Sequence, residues 1–210
     1  MRLFDRFDKV YCINLDRRTD RMEEFNNEVV KYNLGEFERF SAYDRNVIDL
    51  SGYPPHINPG ALGLLLSNLD IILKSQNNNY KSILILEDDC VFTDEVLNLD
   101  EYFDKLPLDW DLLYMGGNHN EHMGYEPPVK INDKICKLHN TFTTHFVGIN
   151  SKMFQIIEQS IRRFDSPIDV IYTALQKTNN AYSFYPGIAK QSKGFSDIEQ
   201  QQINLSLIHI

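Results

Sequence analysis

The chain has 210 residues, a length that suits one compact domain. Apolar side chains make up 42% and charged side chains 24%, which excludes a chain that is disordered throughout. The net charge of −9 argues against binding to nucleic acid or to an anionic membrane through a general basic surface. An anionic ligand would need a few local cations or a metal ion to offset this charge.

The cysteines and the chain ends indicate the cellular compartment in which we expect the protein to work. Cys12, Cys90 and Cys136 are odd in number and share no spacing, so they predict neither a disulfide framework nor a zinc cluster. This usage fits a reducing compartment. The N-terminus lacks the apolar core of a signal peptide, and no apolar run approaches the roughly 20 residues of a membrane span. We therefore expect a cytoplasmic protein without a transmembrane segment, and the apolar ending LSLIHI indicates that a longer protein continues past residue 210.

Apolar periodicity predicts strands that alternate with helices along the first half of the chain. The predicted elements there are a strand at 8–15, a helix capped by Asp16, a strand at 36–44, a helix at 59–75 and a strand at 82–86. The later elements are helices at 94–106, 151–164 and 167–177 and strands at 111–117, 134–139, 144–150 and within 181–191. This order predicts an α/β fold, a mostly parallel sheet with right-handed crossovers, in a single domain over residues 1–210.

Three consecutive carboxylates, Glu87, Asp88 and Asp89, follow the apolar strand SILIL. Ligands of open parallel sheets bind at the carboxyl ends of the strands. Like charges delivered there are costly unless a cation joins them, and Mg²⁺ or Mn²⁺ prefers such oxygen ligands together with substrate phosphates. The alternative is that these acids cap a helix that begins near Thr93.

The end of the first strand carries the opposite charge. Asn14 and Leu15 are followed by Arg17, with Arg21 one helical turn later, so arginines lie beside the free N–H groups of a helix start. This pattern indicates a local anion site, and the alternative is a solvated lattice of surface ion pairs. Asp44 ends the second strand, where a carboxylate could accept hydrogen bonds from a ribose or a base.

Several segments, in the same order along the chain, resemble glycosyltransferase family 25, the lipooligosaccharide and procollagen galactosyltransferase type. These segments are YCINLDRRTDRM (11–22), FSAYD (40–44), GALGLLLSNLDII (60–72), ILILEDDCVF (83–92), THFVGINSKMF (144–154), PIDVIY (167–172) and KQSKGFSDI (190–198). Two positions depart from the family pattern, Ala61 in its Gly-Glu-x-Gly helix start and Asn68 in its usual Ser-His pair.

The resemblance implies a GT-A fold and inverting transfer of a hexose, galactose or glucose, from a UDP-sugar to a hydroxyl of a glycan or of a hydroxylated protein. It also implies a manganese ion, with Mg²⁺ as the alternative, held by Glu87 and Asp89. A late histidine would complete the metal site, with His209 as the candidate and His145 in reserve. The donor-binding residues implied are Asn14, Leu15, Arg17, Arg21, Asp44, Asp88, Gln191, Ser196 and Asp197.

Inverting transfer needs a carboxylate that takes the proton of the acceptor hydroxyl. The resemblance points to Asp169, in PIDVIY, and Asp165 is the second candidate. The other explanation of Asp169 is an acid that favours a helix N-terminus. Aromatic and histidine side chains that could stack on an acceptor sugar are Tyr114, His119, His122, Tyr125 and Tyr185. Trp110, which precedes a predicted strand, is assigned to the core.

The sequence is compatible with two other functions. A nucleotidyltransferase or phosphotransferase could use the same strand-end acids, although the chain has no Gly-rich phosphate loop. A non-catalytic module that binds carbohydrate or nucleotide sugar is the second alternative, and the departures at Ala61 and Asn68 are the reason to keep it.

Overall fold

The computed structural model describes residues 1–119, 126–192, 194–198 and 200–203. Its α-helices are α1 (Thr19–Lys31), α2 (Pro59–Asn77), α3 (Leu99–Lys105), α4 (Phe154–Ile161) and α5 (Ile168–Gln176). Its strands are β1 (Lys9–Asn14), β2 (Glu38–Ser41), β3 (Ser82–Glu87), β4 (Cys90–Phe92), β5 (Leu112–Tyr114), β6 (Asn118–His119), β7 (Val129–Lys130), β8 (Ile135–Lys137), β9 (Thr141–Phe142), β10 (Phe146–Asn150), β11 (Ala181–Phe184), β12 (Ala189–Gln191), β13 (Gly194–Ser196) and β14 (Gln201–Ile203).

An eight-stranded sheet in the order β2-β1-β3-β10-β5-β11-β8-β7 forms the centre of the fold. β1 pairs in parallel with β2 and β3, and β5 pairs in parallel with β11. β10 and β8 run antiparallel to their neighbours. The prediction of an α/β fold with a mostly parallel central sheet flanked by helices is confirmed, and this architecture is consistent with a GT-A-like fold.

Each face of the sheet is covered by its own helices. In β3, Leu84 and Leu86 belong to the core cluster that contains α1 and α3, whereas Ile83 and Ile85 belong to the cluster that contains α2, α4 and α5. Because successive side chains of a strand point to opposite faces, a strand buried on both faces has an unbroken apolar sequence. This is why residues 83–86 are apolar throughout and why the polar residues Ser82 and Glu87 appear only at the two ends of the strand.

The start of α2 is set by local sequence and by one close backbone contact. Asn58 caps the helix by accepting a hydrogen bond from the Gly60 N–H at 2.8 Å, and Pro59 occupies the first turn. A Cβ atom on Gly63 would lie 2.3 Å from the carbonyl oxygen of Tyr43. Only glycine therefore lets α2 lie this close to the chain that leaves β2, and this contact brings the helix start to the strand ends.

Two local predictions are wrong. Asp16 does not cap α1, because the helix begins at Thr19 after a turn, and the carboxylate accepts instead from Arg39 at 2.6 Å and from Ser41 at 2.8 Å. The helix predicted at 94–106 is split into a 3₁₀ turn over Asp94–Asn98 followed by α3. The three cysteines are buried and free.

Candidate functional site

A cleft opens where the parallel strands β1, β2 and β3 end. The predicted site residues that line it are Asn14, Leu15, Arg17, Arg21, Glu87, Asp88, Asp89, Gln191, Ser196 and Asp197. Its empty space is about 660 Å³ including the open solvent at its mouth. The sheet brings these residues together because parallel neighbours end at one edge.

Glu87, Asp88 and Asp89 form the acidic wall of the cleft. Burial raises the pKa of Glu87 to about 8, and the charge of Asp89 adds to the shift. Burial also raises the pKa of Asp89 to about 6, although Gln191 donates a hydrogen bond to it at 2.9 Å. Buried carboxyl groups whose pKa is raised by desolvation and by neighbouring carboxylates form an environment that a cation would relieve.

Two oxygen atoms on the acidic wall suit a divalent cation. Asp89 Oδ1 and Gln191 Oε1 are buried and accept no hydrogen bond from the residues that the structure describes. Glu87 Oε1 accepts a hydrogen bond from the Thr144 hydroxyl at 3.0 Å. Within the described ranges, no three His, Cys, Asp or Glu side chains surround one point. Glu87 and Asp89 therefore fit Mg²⁺ or Mn²⁺ as a partial set, which these ions complete with water and substrate phosphate.

Asp88 differs from its two neighbours because protein groups already bind it. Its carboxylate accepts from Asn14 Nδ2 at 2.6 Å and from Arg21 at 3.0 Å. Burial raises its pKa, and these two partners oppose the rise. Asn14 also donates to the carbonyl oxygen of Arg18 at 3.0 Å, so one buried amide ties the end of β1 to the end of β3. Asn14 and Asp88 thus hold the acidic wall to the segment after β1 that carries the arginines.

Arg17 and Arg21 line the cleft and form its basic wall, and Arg18, which does not line the cleft, adjoins this wall through the Asp197 carboxylate that it shares with Arg17. Arg17 binds Asp44 through Nε at 2.8 Å and Asp197 through Nη2 at 2.8 Å. Arg18 binds the same Asp197 carboxylate at 2.6 Å and also binds Asp20 at 2.7 Å. Asp44 does not line the cleft itself; it lines a neighbouring cavity and reaches the cleft through Arg17.

The two candidate bases lie outside the cleft lining. Asp169 is half-buried in the first turn of α5, and burial raises the pKa of its carboxyl group while the Val170 N–H opposes the rise. Asp165 is exposed and pairs with Arg163 at 3.1 Å. A raised pKa is a property of catalytic acids and bases, so the surroundings of Asp169 suit proton transfer better than those of Asp165.

Several predicted contacts with an acceptor or a metal are corrected or not described. Tyr114 is fully buried and its hydroxyl accepts from Gln176 at 3.0 Å, so it cannot stack on a sugar. The ring of Tyr185 is covered by Lys130, at 4.4 Å from the centroid. His145 is fully buried, and its carbonyl oxygen accepts from the Glu87 N–H at 3.0 Å. Trp110 packs against the core, as predicted. His209, His122, Tyr125 and the side chain of His119 lie outside the described residues.

Sequence reasoning missed three residues of this region. Arg45 and Tyr43 line the cleft just after β2, where the rule applied to strand ends would have found them. Thr144 contacts Glu87 because it precedes β10, the antiparallel neighbour of β3. No local sequence pattern predicts the pairing of β10 with β3, since the two segments are almost sixty residues apart.

Comparisons of the sequence give two curated relatives. The chain is 30% identical over 152 residues to procollagen galactosyltransferase 1 of Danio rerio and 28% identical over 152 residues to procollagen galactosyltransferase 2 of Mus musculus. Each match covers 63% of this chain and 24% of the relative, so the chain spans about a quarter of the length of these proteins. No family model matches the chain.

Solved structures give more distant likenesses. One is a glycosyltransferase involved in the glycosylation of the major capsid of PBCV-1, with a TM-score of 0.45 and 12% identity over 75% of this chain and 66% of that one. Another is A197 from STIV, with a TM-score of 0.45 and 11% identity over 97% of this chain and 93% of that one. In the part of the chain that the structure describes, no helix has both the length and the apolar character of a bilayer crossing.

Proposed function

We propose that the chain is a metal-dependent glycosyltransferase of the family 25 type, which transfers a hexose from a UDP-sugar to a hydroxyl group with inversion. The observation that carries the proposal is the cleft in which a buried acidic wall faces a basic wall. The similarity to two procollagen galactosyltransferases supports a hexose, galactose or glucose, as the transferred group. The acceptor is a glycan or a hydroxylated protein.

Glu87 and Asp89 would hold the cation, Mn²⁺ or Mg²⁺, with Gln191 as an additional oxygen donor. When bound, such an ion stabilises the negative charge that develops on a departing diphosphate. The arginines of the basic wall would bind the diphosphate from the opposite side of the cleft, and guanidinium groups suit phosphate because they donate paired hydrogen bonds. Ala42, Leu64 and Ile13 supply the apolar part of the lining, against which a nucleobase can pack.

Asp169 would accept the proton of the acceptor hydroxyl as that oxygen attacks the anomeric carbon. Its carboxyl group is half-buried, and burial raises its pKa above the ordinary value, which makes this carboxylate a stronger proton acceptor than an exposed one. The free, buried cysteines support a reducing compartment such as the cytoplasm as the place where the domain works.

The decisive experiment measures UDP release from a panel of UDP-sugars, with Mn²⁺ or with EDTA. We expect release that requires Mn²⁺ and that falls at least about 100-fold in Asp89→Ala, because a first carboxylate ligand of the ion is lost. Asp133→Asn is the matched control, because Asp133 is an exposed acid paired with Lys105 away from the cleft.

The alternatives give different results in the same assay. Release of pyrophosphate from a nucleoside triphosphate would identify a nucleotidyltransferase. Tight UDP binding without turnover of any donor would identify a binding module, and loss of activity in Asp133→Asn equal to that in Asp89→Ala would contradict the assignment of the metal site.

A further inference from the structure

One carboxylate sits between two arginines at the margin of the cleft. Asp197 Oδ1 lies 2.8 Å from Arg17 Nη2, and Asp197 Oδ2 lies 2.6 Å from Arg18 Nη1. The Asp197 side chain is only 12% exposed. Each oxygen of the carboxylate therefore binds its own guanidinium group, an arrangement that also suits two oxygens of a phosphate group.

The two arginines are held in place by groups other than Asp197. Arg17 is fixed by Asp44, and Arg18 by Asp20. The backbone of Arg18 is fixed as well, because its N–H donates to the Leu15 carbonyl oxygen at 2.8 Å and its own carbonyl oxygen accepts from Asn14 at 3.0 Å. Removal of Asp197 would consequently leave the pair of guanidinium groups in position.

Asp197 reaches this place from a distant part of the chain. The backbone beside it is seated on α2, since a Cβ on Gly60 would lie 2.8 Å from the Cα of Ile198. Arg45 donates to the carbonyl oxygen of Ile198 at 3.3 Å. Ile198 also packs against the apolar cluster at the start of α2, so the backbone of this segment is held in place. The group that a ligand would exchange is therefore the Asp197 side chain alone.

We propose that Arg17 and Arg18 together form the seat of the donor diphosphate, and that Asp197 is an internal competitor that fills this seat in the free protein. The identity of the anion as a nucleotide diphosphate rests on the proposed function. A diphosphate brings more negative charge and more acceptor oxygens than one carboxylate, so it displaces Asp197 from both arginines. Arg18 is thereby assigned to the donor site, and Asp197 opposes donor binding where the sequence resemblance implies that it supports it.

The sign of one mutational effect tests this proposal. Asp197→Asn removes the competing charge and should tighten the binding of UDP with Mn²⁺, and of inorganic pyrophosphate without metal, by about tenfold, which corresponds to loss of one partly buried ion pair. Asp197→Ser is a second variant with the same expectation. Calorimetric titration measures both affinities, and thermal unfolding shows that each variant is folded.

Asp20→Asn is the matched control. It removes an equal charge from the same guanidinium group of Arg18, but the Asp20 side chain is 61% exposed and Asp20 does not line the cleft. We expect a change of less than about threefold in this variant, the size of an exposed ion pair. Arg18→Gln should weaken the binding of both ligands about tenfold. In a chain that already carries Arg18→Gln, Asp197→Asn should tighten binding only slightly.

Each outcome decides the proposal. Weaker binding of both probes in Asp197→Asn, or no binding of either probe by that variant, overturns it and returns Asp197 to the donor ligands. If Asp20→Asn tightens binding as much as Asp197→Asn does, the proposal is overturned as well, because the effect would then come from the loss of any nearby negative charge. Tighter pyrophosphate binding in Asp197→Asn without turnover of any UDP-sugar keeps the seat and rejects the proposed function.

Discussion

The acidic wall and the basic wall of the cleft satisfy their charges in different ways. Arg17, Arg18 and Arg21 each contact at least one carboxylate of the protein at 3.0 Å or less. On the acidic wall, Asp88 is bound by Asn14 and Arg21, whereas one buried oxygen of Asp89 accepts no hydrogen bond from the described residues and Arg21 lies 3.7 Å from its other oxygen. The basic wall is thus neutralised from within, whereas the acidic wall concentrates carboxyl groups whose ionisation is opposed by burial.

This difference shows what each wall requires from a ligand. A ligand of the basic wall must compete with carboxylates that already occupy the arginines. A ligand of the acidic wall supplies charge that the protein lacks, so a cation gains there the energy that burial of Glu87 and Asp89 costs the free chain. An acidic protein can in this way bind a phosphate-bearing ligand, provided that a metal ion arrives with it.

The largest effect is expected outside both walls. If Glu87 and Asp89 hold a cation, neither is available as a base, and the proposed function assigns that role to Asp169. Asp169→Asn should lower kcat for sugar transfer by about 10²–10⁴-fold, the usual contribution of a general base, and leave UDP affinity unchanged. Steady-state kinetics with a saturating donor measures this. Asp165→Asn is the control, and a loss of activity in that variant instead would exchange the two roles.

The next effect concerns the stability of the two walls. Arg21→Gln leaves the 8% exposed Asp88 carboxylate without its guanidinium partner, and we expect the free energy of unfolding to fall by about 3 kcal/mol. Arg17→Gln removes a guanidinium group that is 40% exposed, with an expected loss of less than about 1 kcal/mol. Urea unfolding compares the two variants. Equal losses would show that burial does not distinguish the walls.

A further effect, which over three pH units is comparable in size to that of Arg21→Gln, is a pH dependence of stability that arises from the acidic wall. Between its ordinary pKa of about 4.3 and its raised pKa of about 8, Glu87 is protonated in the folded chain and ionised in the unfolded chain. The folded state then binds more protons, so without metal the free energy of unfolding should fall as pH rises from 5 to 8, by about 1 kcal/mol per unit.

Urea unfolding at several pH values measures this slope. Glu87→Gln should flatten it, because that side chain no longer titrates, and Mn²⁺ should raise stability more at pH 8 than at pH 5. Glu101→Gln, at a 62% exposed position, is the control and should keep the slope of the natural chain. A slope unchanged by Glu87→Gln would show that the acidic wall does not carry the effect.

Most of the elements that build the site could be predicted from local patterns. The unbroken apolar run at 83–86 indicated a strand buried on both faces, and the stripe along α2 indicated a helix that packs on the sheet. The rule that ligands bind at the carboxyl ends of parallel strands then singled out Glu87, Asp89, Arg17 and Arg21, all of which line one cleft. These inferences succeed because the pattern of buried and exposed side chains in a helix or strand is visible in the sequence of that element alone.

Contacts between distant segments could not be predicted in this way. The sequence favours a helix cap for Asp16, which instead pairs with Arg39 of the neighbouring strand, and an acceptor contact for Tyr114, which is instead fully buried and bonded to Gln176. In both cases the residue type suits two environments, and the packing of another segment selects one of them.

By itself, the sequence determined that this chain forms an α/β fold with acids and arginines at neighbouring strand ends, because periodicity and strand direction are local properties. Only the tertiary structure decided which charge neutralises which. The antiparallel insertion of β10 places Thr144 on Glu87, and the approach of residues 196–198 to Gly60 places Asp197 between Arg17 and Arg18. Ion pairs depend on distances of a few ångströms between segments far apart in sequence, and the packed fold alone sets those distances.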